Sequence, residues 1–299
     1  MEKTPVLLII FNRPDKVATL ISALEKVRPS RLFISADGPR AHVETDARNC
    51  AEAREAIKAI SWPCEVVTNF SDANLGCKIG VSSAITWFFS KVEEGIILED
   101  DCIPSPSFLP YAQALLKKYR FNDHVMHISG SNALALSEIS DKDASYRFSR
   151  IASIWGWATW KRAWDTYDID MTDIERLRTL QATNPLFTEQ KHLEFWIHLF
   201  NHIQNHKIDT WDSQWQYTVL AHDGVAVSPN VNLIDNIGFG IDATHTKGEK
   251  PRMARVNDLV PPFKDPGTGM VDMRADAIMM QSFYIRSLWQ KILSYLKIG

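Results

Sequence analysis

The sequence predicts an α/β protein whose first hundred residues form a Rossmann-like, mostly parallel sheet flanked by helices. Four short runs with apolar cores, Pro5 to Phe11, Leu32 to Ala36, Cys64 to Asn69 and Gly95 to Glu99, alternate with helical windows. Each run has the length of one strand, and the first is apolar from end to end, as a strand buried on both faces is. The alternation β-α-β-α-β-α-β puts the strands parallel and the helices on both faces. Beyond residue 103 the pattern turns irregular, which predicts a mixed second half.

The elements follow in order. Asn12-Arg13-Pro14-Asp15 is a turn with helix-start residues, and Val17, Leu20, Ile21, Leu24 and Val27 share one face of the next helix. Asp37-Gly38-Pro39 closes the second strand, and Thr45 to Ile60 is a helix window stopped before Trp62-Pro63. Gly76 and Gly80 flank Lys78 at the head of a helix carrying Ile85, Trp87, Phe88 and Phe89. Phe108 to Tyr119 reads as a helix, and His124 to Ser129 as a strand followed by Gly130-Ser131-Asn132. Trp155, Trp157, Trp160 and Trp164 then cluster. Leu193, Trp196, Leu199, Phe200 and Ile203 mark an amphipathic helix, and Trp211-Asp212-Ser213-Gln214-Trp215 leads into another. Val225 to Val227 and Val231 to Ile234 read as short strands, and Asn236 to Gly240 with Thr244 to Gly248 as a polar, glycine-containing loop. Prolines and glycines across 251–272 indicate a linker or a wrapped extended segment, and 273–299 a closing amphipathic helix.

Bulk properties narrow the function. The 299 residues are 45% hydrophobic and 23% charged, ordinary for a globular chain. A net charge of −3 argues against a nucleic-acid partner, which calls for a basic stripe. Cys50, Cys64, Cys77 and Cys102 form no C-x-x-C pair, so they read as reduced thiols of a cytoplasmic protein. No apolar run approaches a membrane span or a signal-peptide core.

The chemistry concentrates where the fourth strand ends, in Glu99-Asp100-Asp101. In an open α/β sheet, ligands bind at the carboxyl ends of the strands. Three adjacent carboxylates repel unless a positive charge stands among them, and a hard divalent cation bridging to a substrate diphosphate would supply it. The plain alternative is a solvated acidic turn. Arg13 and Asp37 end the first and second strands on the same edge; Asp37 either accepts hydrogen bonds from a base or ribose or is an ordinary Asp-Gly turn. Lys78 is a phosphate contact or a surface lysine. Trp155 and Trp157, either side of Gly156, stack on a sugar or pack in the core. Asp212, between two tryptophans, is a general base in apolar surroundings, a helix cap, or both. His198, His202 and His206 recur every fourth residue without a metalloprotease motif and read as a solvated face. The last helix has Ile285, Leu288, Trp289, Ile292 and Leu296 on one face with Arg286, Lys291 and Lys297 nearby; it docks on protein or lies on an anionic membrane surface.

Taken together, the chain resembles the GT-A glycosyltransferases and is most similar to the N-acetylglucosaminyltransferase I family and bacterial proteins like it. The similarity runs in order over most of residues 5 to 248. Phe11-Asn12-Arg13 and Ser35-Ala36-Asp37-Gly38 resemble the family's first two strand ends, which imply nucleotide contacts for Arg13 and Asp37. Lys78-Ile79 resembles its K-I helix start. Leu98-Glu99-Asp100-Asp101 matches its E-D-D form of the D-x-D motif, which implies Asp101 on the metal, Mn²⁺ or Mg²⁺, and Glu99 and Asp100 on ribose and sugar hydroxyls. Ser129 to Asn132 resembles a polar loop, with Asn132 near sugar or acceptor. Ile154-Trp155-Gly156-Trp157 resembles an element near the acceptor, and Trp211-Asp212 with Trp215 the W-D-D-W whose first aspartate is the catalytic base. Phe239 through His245 resembles a loop closing over the donor. The sequence departs from the family in having Trp155 before Gly156, and one extra residue and no second aspartate between Trp211 and Trp215.

The resemblance implies a metal-dependent inverting glycosyltransferase. It would move a sugar such as N-acetylglucosamine from a UDP-sugar to a glycan or lipid-linked glycan acceptor, in bacterial surface polysaccharide synthesis. Such an enzyme would be cytoplasmic, with peripheral contact at the inner membrane through its last helix. Residues 1–250 would form the transferase domain, with 1–103 as nucleotide-binding half and 104–250 as acceptor half. A sugar-phosphate nucleotidyltransferase and a non-catalytic sugar-binding protein are the alternatives.

Overall fold

A computed structural model describes residues 4–239 and 253–285. The four runs form β1 (Val6–Ile10), β2 (Arg31–Ala36), β3 (Glu65–Phe70) and β4 (Glu94–Glu99). All are parallel, with β1 between β2 and β4: Leu8 stands opposite Ile34 on one side and Leu98 on the other. The connections are α1 (Pro14–Glu25), α2 (Asp46–Ala56) and α3 (Gly76–Phe89). Val6, Leu8 and Ile10 face α1, whereas Leu7 faces Ile85 and Phe88 of α3. Side chains alternate along a strand, so a strand covered on both faces has no polar position, and the unbroken apolar run follows. β3 departs from this; it is an exposed edge, with Val66 and Phe70 partly open to solvent.

The second half adds β5 (Cys102–Pro104), α4 (Phe108–Tyr119), β6 (Val125–Ser129), β7 (Tyr146–Ser149), β8 (Trp157–Trp160), α5 (Lys161–Trp164) and α6 (Arg176–Thr179). Then come α7 (Gln190–Asn205), α8 (Asp212–Ala221), β9 (Val225–Pro229), β10 (Ile234–Asn236) and α9 (Met273–Met279), which continues as a π-helix over Met280–Ile285. Among the described residues, eight strands join one mixed sheet in the order β3-β2-β1-β4-β8-β6-β9-β7, while β5 and β10 form a small antiparallel ribbon. β8 lies antiparallel between β4 and β6, pairing Ile97 with Trp157 and Ile128 with Ala158.

β8 corrects the reading of the tryptophan cluster. Trp157 and Trp160 project from opposite faces of one internal strand into two different cores. Trp157 is 1% exposed and stacks on Trp211 at 5.7 Å. It is therefore core, not a sugar contact. The proline- and glycine-rich segment, where described, wraps the body: Asn257 N–H donates to the Asn232 carbonyl (2.8 Å), and Lys264 accepts from Ser145 N–H (2.9 Å). α9 docks on its own domain. The Asp272 carboxylate caps it at Ala275 N–H (3.1 Å), and buried Asp276 accepts from Ser149 Oγ (2.6 Å) and Arg150 N–H (2.7 Å). Leu288, Trp289, Ile292 and Leu296 lie outside the described residues, within which no helix is long and apolar enough to cross a membrane.

Candidate functional site

Because β1, β2 and β4 are parallel, their carboxyl ends open on one side, and the residues just beyond them meet. Arg13, Asp37, Glu99, Asp100 and Asp101 line a single cleft of about 490 Å³, and Asp212 lines it from the second half. Arg13 stands between two of the carboxylates. Its guanidinium pairs with Asp101 Oδ2 (2.9 Å) and with Asp100 Oδ1. Burial opposes charge on Arg13, but Asp100 and Asp101 outweigh it and raise its pKa.

One guanidinium does not balance three carboxylates. Burial, then the charges of Asp101 and Asp100, raises the pKa of Glu99 well above the carboxylate range. Burial also pushes Asp100 up to about 6 against the pull of Arg13, and Asp100 Oδ2 is buried without a partner among the described residues. The cleft floor thus carries excess negative charge on oxygen donors alone, which suits a hard divalent cation. Among the described residues no three His, Cys, Asp or Glu side chains form a cage. One or two carboxylates shared with phosphate oxygens is the arrangement such residues can provide. Asp101 is the more accessible of the two carboxylates that Arg13 holds, at 16% against 2% for Asp100.

Asp37 ties the end of β2 to the start of α3. Its oxygens accept from Gly38 N–H (2.8 Å), Leu75 N–H (2.9 Å) and Asn74 Nδ2 (2.9 Å). Burial raises its pKa, and those backbone donors oppose the rise. Lys78 does not line the cleft: its backbone N–H donates to Asp209 (2.7 Å) and its ammonium lies 3.6 Å from Asp170. Asp209 also accepts Cys77 N–H (2.9 Å), so a carboxylate from the second half sits on the positive end of α3. Gly76 makes that approach possible, since its φ is +79° and a Cβ there would stand 2.9 Å from Asp209 Oδ2.

On the opposite wall, Asp212 is the first residue of α8 and accepts Ser213 N–H (2.8 Å) and the Thr210 hydroxyl. Of its flanking tryptophans Trp215 packs in the core and Trp211, though buried, also lines the cleft, and the Asp212 side chain is half-buried between them. Trp155 is half-buried, lines the cleft, and meets Phe239 edge to face at 5.5 Å. Asn132 is buried and committed elsewhere. Its Nδ2 donates to the Leu134 (3.0 Å) and Asn230 (3.1 Å) carbonyls, and its Oδ1 accepts from Arg147 (3.1 Å). His245 lies outside the described residues.

Four further residues shape the cleft. Arg40 lies over the Phe11 ring and binds Asp46 (2.6 Å), whose carboxyl is held down at about 2 by that bond against the effect of burial. Asp46 reads in the sequence as an ordinary first-turn acid, and only its burial exposes the pair. Asp209 reaches α3 across 131 residues. Asn236 and Gly238 cover Asp101 from the end of β10. Ile237 N–H donates to the Asp101 carbonyl (2.9 Å), and a Cβ on Gly238 would fall 2.1 Å from Asp101 Oδ2. A second cavity of about 290 Å³ adjoins the cleft, and Ile154, Trp155 and Asp212 line both.

No protein-family model matches the chain. No curated protein matches it either. Among solved structures it is similar to a UDP-glucose pyrophosphorylase complexed with UDP-glucose, at 10% identity over 76% of this chain and 90% of that one, with a TM-score of 0.40. It is similar to 4-diphosphocytidyl-2C-methyl-D-erythritolsynthase from Anaerococcus prevotii at 7% identity, 78% and 93% coverage and a TM-score of 0.39. HddC from Yersinia pseudotuberculosis, complexed with GMP-PN, matches at 11% identity, 53% and 77% coverage and a TM-score of 0.32. Likeness this distant assigns neither family nor activity.

Proposed function

We propose that the chain is a glycosyltransferase that binds a UDP-sugar in the cleft and transfers the sugar, N-acetylglucosamine first among candidates, to an acceptor hydroxyl with inversion. The observation that carries this reading is the place of Asp212, a carboxylate in the wall shared by two adjoining cavities. A general base that serves two substrates belongs there. The nucleotide would lie over the ends of β1 and β2, between Arg40 and Asp37, with its diphosphate toward Asp101. Asp101 would hold Mn²⁺ or Mg²⁺ beside the diphosphate, and the ion would neutralise the leaving group. Asp100, almost wholly buried, fixes Arg13 instead of touching the sugar; Glu99, at the floor, is placed to meet hydroxyls. Asp212 takes the acceptor proton while the acceptor oxygen bonds to the anomeric carbon, and the electron pair of the broken C–O bond leaves on UDP. A cytoplasmic enzyme with a glycan or lipid-linked glycan acceptor at the inner membrane is part of the same proposal.

The rival is a sugar-phosphate nucleotidyltransferase, the class to which a UDP-glucose pyrophosphorylase belongs. It must cradle a triphosphate on backbone N–H groups. Here the turn after β1 is Phe11-Asn12-Arg13, without glycine, and α1 starts at Pro14, which has no N–H. Incubation with UDP-N-acetylglucosamine and Mn²⁺, and separately with UTP and sugar 1-phosphates, separates the two. Release of UDP supports glycosyl transfer, and pyrophosphate from UTP in its place refutes it.

A further inference from the structure

The second cavity differs in chemistry from the cleft. Beyond the shared residues one side of it is formed by Trp196 and Leu199 of α7, Met279 of α9, and Phe283 and Tyr284 of the π-helix. None of these carries a charge. Trp196 and Tyr284 pack at 5.0 Å, and Phe195 supports Tyr284 edge to face at 6.1 Å. The other side is neutral and polar, with Ser131, Ser153, Ser213 and Gln216, and Gln216 is already used: its Oε1 accepts Ala152 N–H (2.8 Å) and its Nε2 donates to the Arg150 carbonyl (3.0 Å). Trp196 is 1% exposed, and its Nε1 is buried without a partner among the described residues. π-Helical turns concentrate at functional sites, and this one carries two of the aromatic walls.

Resting on the proposed function, we infer that this cavity seats the acceptor and takes an apolar group, an aryl ring or short alkyl chain, attached to the sugar that is glycosylated. A bare sugar presents hydroxyls on every edge, and the side formed by Leu199, Met279 and Phe283 offers them no partner. An aglycone buries its apolar surface against Phe283, Tyr284 and Leu199. With that group in the cavity, the sugar hydroxyl comes to Asp212 at the boundary with the cleft. Oxygen–hydrogen and carbon–oxygen bonds then exchange as set out above, with no further reactant.

Calorimetry with phenyl β-D-glucoside and methyl β-D-glucoside, each in the presence of UDP, tests the cavity without relying on turnover. The phenyl glucoside should bind at least ~10-fold more tightly, because a buried ring removes far more apolar surface from water than a methyl group. Phe283→Ala and Leu199→Ser, on two different elements and both only half-buried, should each remove most of that preference while UDP affinity holds. Equal affinity for the two glucosides, or a preference untouched by both substitutions, overturns the inference. Donor chemistry is scored separately: tight phenyl-glucoside binding with no UDP released from any UDP-sugar would sink the proposed function and leave the apolar cavity standing.

Discussion

The two walls of the cleft obtain their side chains by different means. The wall from the first half is a set of parallel strand ends. Register fixes it: Ile9 pairs with Glu99 and Ile10 with Ala36, so Arg13, Asp37 and the three carboxylates are placed within a few residues of a paired strand position. The wall from the second half is a set of loops and one helix start held by aromatic packing. Either side of Asp212, Trp211 stacks on Trp157 and Trp215 packs at a tilt against Trp157, Trp164 and Tyr167. Charge placed by hydrogen-bonded strands is dense and stiff. Charge placed by ring packing is sparse, and its position depends on the core behind it.

The largest expected effect falls on the second wall. Asp212→Asn should cut sugar transfer by a factor of about 10² to 10⁴ while UDP affinity and urea stability stay near wild type. Full transfer by this variant would pass the role of base to Asp209, the other second-half carboxylate lining the cleft. On the first wall, Arg13→Met removes the partner of a carboxylate that is only 2% exposed, and breaking a buried pair from one side costs about 3–5 kcal/mol. Urea unfolding should show that loss, and Arg13→Met with Asp100→Asn should recover most of it. Failure of the double variant to recover would mean that Arg13 acts through Asp101 alone.

The aromatic scaffold behind Asp212 has its own test. His127 is buried between Trp157 and Trp215, accepts Trp215 Nε1–H at Nδ1 (3.1 Å) and holds the Ser153 carbonyl at Nε2 (3.0 Å). Burial pushes its pKa down to about 3, so it is neutral with its proton on Nε2. His127→Phe leaves both partners unsatisfied and should cost about 2–4 kcal/mol in urea unfolding. It should also lower transfer more than UDP binding, because Trp215 sits one turn from Asp212 and Ser153 precedes Trp155. Equal losses in both would show that the two walls do not act independently.

The same difference decides what the sequence reveals. The first four strands are legible because burial on both faces erases polar positions, and parallel order then brings Arg13, Asp37 and Asp101 to one edge. β8 is hidden, since Trp-Ala-Thr-Trp carries no strand period and its tryptophans look like contacts until the strand is seen inserted beside β4. β5 and β7 are three and four residues long and give no pattern. Asp209, Asn236 and Gly238 reach the cleft by loop closure across more than a hundred residues, and nothing local marks such an approach. Lys78 and Asn132 show the converse. Their motifs are local, and the structure spends their polar groups on Asp209, Asp170, Asn230 and Arg147.

The smallest effect separates two aspartates on the first wall by the sign of their pH dependence. Asp100 has its pKa raised to about 6 by burial, so between about pH 4 and 6 the folded state holds a proton that the unfolded state has lost. Its contribution is full below pH 4 and fades as pH rises through 6, by about 2 kcal/mol. Asp46 has its pKa lowered to about 2 by Arg40, so its contribution is full above pH 4 and fades as pH falls toward 2. Urea unfolding of wild type from pH 4 to 6.5 should therefore show a downward slope, to which buried Glu99 and Asp276 also contribute, that Asp100→Asn makes shallower and Asp46→Asn does not. Mn²⁺ added at pH 7 should restore stability to wild type and not to Asp101→Asn, because a cation favours the ionised carboxylates that burial opposes. A wild-type slope unchanged by Asp100→Asn would show that Arg13 keeps the Asp100 carboxylate ionised across this range.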